Sequence, residues 1–438
     1  MPDKIKVVYS WIGPRGPMMN TELPNILSMS AVATGASTSS HNFWADNIWH
    51  VIFNNSDENY TLASTMMIDD RDTYIFPFSL TWRIPFESYF LPKSGIMEFS
   101  HCPQHIIHHV RNGKGFFLLD MSAEAYVKDQ QLDLMHSYFR YHNGIPMHKI
   151  IYLTGCMNAR ELYDDYCIRR GISQDDRIIL LSFPISQDAL ALHLTQDPLP
   201  PVPEYDVNKV PEKLFLTWNR RYRPHRTMLA LGLERSNLID KSYVSMCEHD
   251  PENRAITFSS TINPNITTYL NLSNEIIDRF VSKLPLVLDG ETNINQMCQD
   301  FDNAARSYYQ NSLVSIVTET NFDLPELTLT EKSFKPSKEK HPFMIMGVSG
   351  CLKALRDFGF KTFGEFWDES YDEIGDPYIR MNAILKICDD ISRWDEHKIR
   401  DFRTKVKPIL DHNYEALKVK SSRIISKRIK QVINERFP

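Results

Sequence analysis

Four arginines and a histidine crowd into eight residues where the apolar stretch Lys213 to Trp218 (KLFLTW) runs into Asn219-Arg220-Arg221-Tyr222-Arg223-Pro224-His225-Arg226. A forked guanidinium suits the non-bridging oxygens of a diphosphate. A loop between a parallel strand and a helix N-terminus is where α/β sheets take anionic ligands. The plainer alternative is an exposed loop making surface ion pairs. A second group, Thr330-Glu331-Lys332, lies between Ser315-Ile316-Val317-Thr318-Glu319 and His341-Pro342-Phe343-Met344-Ile345-Met346-Gly347. At a helix start, Glu331 is placed to accept hydrogen bonds from ribose hydroxyls and Lys332 to add a point charge on phosphate, which suits a nucleotide sugar. Read alone, the same three residues are a capped, charged helix start.

Three further groups carry rival chemistry. Asp69-Asp70-Arg71-Asp72 after Met66-Met67-Ile68 could hold Mg or Mn with its carboxylates, or form a polar turn after a strand. His101, Cys102, His105, His108 and His109 are zinc-type donors, but the spacing matches no closed site and no second ligand pair follows. Gly13-Pro14-Arg15-Gly16-Pro17 is either a strand-ending turn or a close approach to a ligand.

The elements that must position these residues alternate between short apolar runs and amphipathic stretches. Lys4 to Ile12, Gly115 to Asp120, Lys149 to Thr154 and Arg177 to Phe183 read as buried parallel strands. Ala123 to Tyr141 and Asn158 to Arg170 read as helices, the second stopped by Gly171. Lys213 to Trp218, Ser312 to Thr318 and Pro342 to Met346 give a second strand series. Its helices are Ser273 to Lys283, capped by Ser273, and Leu352 to Phe358. Five prolines between Asp197 and Lys213 mark a boundary. Lys418 to Arg436 has an apolar stripe of Ile424, Ile425, Ile429, Val432 and Ile433, and reads as a closing helix on one lobe with a basic outer face. The resulting domains are an α/β lobe over 1–196, a linker over 197–212, an anion-binding α/β lobe over 213–400 and a basic helical tail over 401–438.

The block SIVTETNFDLPELTLTEKSFKPSKEKHPFMIMG resembles the donor-binding segment of the α1,3-fucosyltransferase family. The strand with Asn-Arg-Arg, the Thr-Glu-Lys and the later Gly359 to Phe363 (GFKTF) are similar to bacteriophage glycosyltransferases. The likeness covers roughly Lys213 to Asp376. It implies a GT-B-like fold, two Rossmann-like α/β lobes facing a cleft, and a metal-independent glycosyltransferase using a UDP- or GDP-linked sugar, without a cofactor. By that likeness Asn219, Arg220, Arg223, Arg226, Glu319, Thr330, Glu331 and Lys332 form the donor site. Glu319-Thr320-Asn321 departs from the Glu-Asn of the fucosyltransferases, so guanine and fucose specificity do not carry over. An inverting transfer needs a carboxylate to deprotonate the acceptor hydroxyl. Asp120 and Glu124, at and just after the end of strand GFFLLD, are the candidates, and each also reads as a cap or surface acid.

Composition bounds these readings. The chain has 438 residues, 42% of them hydrophobic and 24% charged, and a formal net charge of -6, which gives no general pull toward nucleic acid or anionic membrane. Seven scattered cysteines without CxxC spacing read as buried free thiols of a reducing compartment. No apolar run approaches the ~20 residues of a spanning helix, so the expected location is a cytoplasm, the host's if phage-encoded, with no membrane partner. The acceptor is unidentified. Hydroxymethylated bases of phage DNA are one alternative, with Lys418 to Arg436 as the only support for a basic acceptor face. A non-catalytic nucleotide- or carbohydrate-binding protein on a transferase scaffold is the other.

Overall fold

A computed structural model of the chain describes residues 4–9, 60–64, 68–69, 71–79, 102, 104–122, 124–125, 127–187, 202, 204–219, 221–247, 249–250, 253–262, 264–288, 306–419 and 421–436. The chain divides into two compact units. Met1–Ile185 joins Ser421–Pro438 in the first, and Ser186–Lys420 forms the second.

The first unit is built on β1 (Ile5–Tyr9), β2 (Tyr60–Ser64), β3 (Tyr74–Ser79), β4 (Gly115–Met121), β5 (Ile150–Thr154) and β6 (Ile179–Ser182), all parallel in the order β2-β1-β3-β4-β5-β6. Strands β4 and β5 are buried along their whole length because both faces of the sheet are covered. Alternate residues sort to the two faces. Val8, Phe76, Phe117, Leu119 and Tyr152 share one core with α1 (Gln104–Asn112), α2 (Asp129–His136) and α3 (Ala159–Arg170). Ile5, Val7, Ile75, Phe116, Leu118 and Ile151 form a second core. As expected, α3 stops at Gly171, which takes φ 65°. The expected helix 123–141 begins only at Asp129 and passes into a π-helical turn, Ser137–His142. Strands β2 and β3 escaped the sequence reading. The first is a five-residue edge strand and the second carries Pro77, which argues against a strand in sequence.

In the second unit β7 (Lys213–Asn219), β8 (Ser242–Met246), β9 (Ser312–Thr318) and β10 (Phe343–Met346) are parallel in the order β10-β9-β7-β8. The described helices are α4 (Pro224–Arg235), α5 (Pro264–Tyr269), α6 (Asn274–Val281), α7 (Arg306–Gln310), α8 (Glu331–Lys338), α9 (Cys351–Asp357), α10 (Pro377–Ile391) and α11 (Glu396–Lys418). Ser273 caps α6, its hydroxyl accepting from Ile276 N at 3.4 Å. The two parallel sheets with their helices match the expected α/β class. The edge strand β8 was not anticipated.

The expected domain limits need correction. The Pro-rich stretch is part of the second unit: the Arg403 guanidinium lies 4.4 Å over the Tyr205 ring, and Arg403 donates to Asp206 O at 2.7 Å. Nor is 401–438 one tail. Position 401 falls inside α11, which belongs to the second unit, whereas α12 (Ser421–Arg436) belongs to the first. There Ile425, Ile429 and Ile433 enter the core with Phe116 and Leu118, each contributing about 2 kcal/mol by burial. Gln187, where the chain enters the second unit, donates to Val419 O at 3.0 Å, where it leaves. Among the described residues no helix is long and apolar enough to cross a membrane.

Candidate anion-binding site

The register of β7 on β9 pairs Phe215 with Val314 and Leu216 with Ser315, so both strands end on one edge of the second sheet. The chain leaves β7 at Asn219 and turns into α4, whose first residue is Pro224; the proline ring pre-sets the first turn and gives up no needed N–H. Beyond β9 the chain crosses the edge and returns as α8, whose N-cap is Thr330. These two helix starts and the strand ends line a pocket of about 190 Å³. Among the described residues that line it, Arg221, Arg223, Arg226, Lys332 and Lys335 bring five cations, against the single carboxylate of Glu331. Trp218 and Tyr309 supply aromatic walls.

Arg226 defines the chemistry of this pocket. Its side chain is buried, at 3% exposure, and its terminal nitrogens donate to Arg221 O at 3.0 Å and Thr318 O at 3.3 Å. Among the described residues its Nε has no partner and no carboxylate stands within ion-pair distance of it. Burial, followed by the repulsion of Arg223 and opposed by Glu319 and Glu331, brings its pKa down to about 10. A buried guanidinium without an ion pair among the described residues can still donate to an anionic ligand.

Glu331 and Lys332 also line the pocket and pair with each other, Nζ to Oε1, at 2.6 Å. Burial pulls the Glu331 carboxyl upward, but Lys332 and Lys335 prevail and hold it at about 2. Lys335 follows Lys332 by three residues, the spacing that puts two side chains on one face of a helix.

The start of α8 is fixed from beneath by Glu319, which is fully buried. One of its carboxylate oxygens accepts from Thr330 N at 2.9 Å and Ser333 Oγ at 2.5 Å. The other accepts from Thr330 Oγ1 at 2.7 Å and Thr320 N at 3.0 Å. A carboxylate at a helix N-terminus satisfies donors that the helix cannot pair internally and meets the positive end of its dipole. Gly347 permits this packing, since a Cβ there would stand 2.7 Å from Cys351 Sγ and 3.2 Å from Glu319 Cβ.

The structure therefore divides the residues expected to hold a donor. Arg223, Arg226, Glu331 and Lys332 meet in one pocket. Glu319 does not line it: four internal hydrogen bonds occupy its oxygens, and it acts as a tie beneath α8. Thr330 is that helix's cap. Asn219 is 1% exposed and clamps strand ends, its Oδ1 accepting from Thr318 Oγ1 at 2.9 Å. Arg220 lies outside the described residues. Arg221, Lys335, Trp218 and Tyr309 were not anticipated as pocket residues. Arg221 also reaches the buried Asp250, at 3.6 Å. His225 belongs to the core, stacked 5.1 Å from Phe322 and bonded to Glu319 O at 2.9 Å, with burial and Arg226 lowering its pKa to about 3.

The remaining candidates lie in the first unit. Asp120 is 5% exposed, accepts from Ser122 N at 2.9 Å, and is raised in pKa by burial. Glu124 is half-buried, and its carbonyl accepts from Gly155 N at 2.8 Å. Asp69 closes a turn, accepting from Arg71 N at 2.8 Å, and Asp72 pairs with Lys6 at 2.7 Å; Asp70 lies outside the described residues. His105, His108 and His109 share α1, with ring contacts of 6.0 and 6.1 Å to His109. Among the described residues no three His, Cys, Asp or Glu side chains are grouped to hold a metal. His101 and Gly13 to Pro17 lie outside the described residues. Cys102, Cys156, Cys167, Cys351 and Cys388 are buried free thiols, and Cys247 is half-buried.

No family model matches this chain, and no curated protein matches it in sequence. Among solved structures it is similar to the N-terminal domain of Candida albicans trehalose-6-phosphate phosphatase, at 12% identity over 97% of this chain and 84% of that one, with a TM-score of 0.43. An α,α-trehalose-phosphate synthase (UDP-forming) from Burkholderia vietnamiensis is similar at 11% identity, over 84% of this chain and 76% of that one, with a TM-score of 0.38. A sucrose-phosphate synthase from Thermosynechococcus elongatus is similar at 11% identity, over 73% of this chain and 69% of that one, with a TM-score of 0.34.

Proposed function

We propose that the second unit binds the diphosphate of a nucleoside-diphosphate sugar and that the chain transfers the sugar to an acceptor hydroxyl without a divalent metal. The observation that carries this reading is Arg226, a buried guanidinium whose Nε has no partner among the described residues, in a pocket whose described lining holds five cations and one carboxylate. A diphosphate needs several positive groups at once, and developing charge on its bridging oxygen as the sugar departs is stabilised by the same groups. Trp218 and Tyr309 offer apolar faces to a nucleoside, and the Glu331 carboxylate is an acceptor for ribose hydroxyls. The donor is a UDP- or GDP-linked sugar. Of the two candidate general bases, Glu124 is preferred to Asp120, which is closed to solvent.

A thermal-shift screen in EDTA tests the reading with pyrophosphate, UDP, GDP and their sugar conjugates. A ligand present at a hundred times its Kd stabilises the fold by about 2.7 kcal/mol. The expected result is a raised Tm with a nucleoside diphosphate in EDTA, together with donor hydrolysis or transfer to simple saccharides or hydroxymethylated DNA. Absence of any shift, or one that appears only with Mn, rejects the reading. Binding without turnover on any acceptor assigns the chain to nucleotide binding instead of catalysis.

A further inference from the structure

The outer face of α12 is charged in a way that α11, the helix before it in sequence, is not. Along α11, cations are matched by carboxylates one turn away: Lys405 with Asp401 at 2.8 Å, Lys407 with Asp411 at 2.8 Å, and Arg400 with Glu396 at 3.7 Å. On α12, Arg423, Lys427 and Arg428 are all exposed, and among the described residues none has a carboxylate within ion-pair distance. Two of the three are one helical turn apart and the third is adjacent, so like charges face each other with nothing to offset them. A surface that accepts this repulsion is complementary to a polyanion.

Two polyanionic surfaces are available in principle, a membrane and a nucleic acid, and the packing of α12 favours the second. A helix that lies on a membrane sinks an apolar face into the acyl boundary. Here the apolar edge, Ile425, Ile429 and Ile433, is already enclosed with Phe116 and Leu118 in the core of the first unit. The outward face keeps only Ile424 as a strongly exposed apolar residue, at 55%. The three cations span about 8 Å of helix, over which duplex DNA presents about four phosphates.

We infer that the Arg423, Lys427 and Arg428 face of α12 is a sequence-independent docking surface for the phosphate backbone of a nucleic-acid duplex. The inference rests on the first unit alone and does not depend on the nucleotide-sugar reading of the second.

The experiment measures binding of the full chain to a fluorescent duplex of arbitrary sequence between about 50 and 200 mM salt, without nucleotide. Three phosphate contacts predict that affinity falls about 40-fold across that range, and that replacing Arg423, Lys427 and Arg428 by Gln makes the log–log salt slope shallower by about 2.7. Urea denaturation of the variant shows whether the fold is kept. Should the triple variant unfold, Lys427→Gln alone carries the test, with a slope change of about 0.9. Failure of the wild-type chain to bind duplex at the lowest salt, or an unchanged slope in a folded variant, overturns the inference. So does loss of binding to phosphatidylserine–phosphatidylcholine vesicles in the variant when duplex binding is absent, which would assign the face to a membrane.

Discussion

Replacing Arg226 by Met separates a residue kept for the fold from one kept for a ligand. Methionine is of similar length, unbranched and neutral, so it fills most of the space without the charge. The lowering of the Arg226 pKa from its ordinary value to about 10 means that the folded chain disfavours its charged form by about 3 kcal/mol. Against this stand the hydrogen bonds to Arg221 O and Thr318 O, at about 1 kcal/mol each. The variant should therefore be as stable as the parent or more stable by about 1 kcal/mol, where loss of a large buried polar residue would ordinarily destabilise. Pyrophosphate affinity should fall by about 1.5 to 3 kcal/mol, or roughly 10- to 100-fold, the range for a hydrogen bond to a charged group. Urea denaturation near neutral pH, with and without pyrophosphate, reads both quantities in one titration. If the variant loses more than about 2 kcal/mol unliganded and still gains stability from pyrophosphate as the parent does, Arg226 is a tie between β9 and the loop after β7, and the account of the pocket fails.

The other expectations concern α8 and the acid response of the whole chain. Glu319→Gln places an amide nitrogen against donors that now meet an oxygen, leaving at least one backbone N–H of Thr320 or Thr330 unpaired; a loss of about 3 kcal/mol is expected from chemical denaturation, and a change below about 1 kcal/mol would remove Glu319 as the tie beneath α8. Lys332→Ala should keep its melting temperature but weaken UDP or GDP binding by about 1.5 to 3 kcal/mol in calorimetry, and unaltered affinity would exclude its ammonium from the ligand. His136, His225 and His341 are buried and neutral, with pKa values of about 4, 3 and 4 set mainly by burial. Because their unfolded values lie near 6.5, protons bind the unfolded chain first, and stability should decline steadily as pH falls from about 6.5 toward 4. A denaturation midpoint that is flat over that window would contradict their neutral burial.

What the residues settled by themselves is local. The strands KLFLTW and SLVSIVT are apolar runs too short for helices and bounded by polar loops, and they lie where they were expected. The density of arginine after β7 and the Thr-Glu-Lys at the start of α8 were legible as a group of charges suited to an anion, because those charges are a property of composition. The cap of α6 at Ser273 and the stop of α3 at Gly171 were legible for the same reason, being set by side-chain or backbone chemistry within four residues.

Tertiary structure decided what each group faces. Glu319 and Lys332 are both charged residues near one helix start, yet one is sealed under α8 by Thr320, Thr330 and Ser333 while the other opens to the pocket. Asn219 turned inward because its partner, Thr318, lies 99 positions away on the adjacent strand, beyond the reach of any local pattern. The stripe of isoleucines on α12 announced a buried edge, but periodicity names no partner. Only the fold placed that edge on the sheet of the first unit, more than two hundred residues back along the chain, and so left its basic face outward. Burial and hydrogen-bond satisfaction are collective quantities of the folded chain, and they determine which of its chemically able residues are free to act.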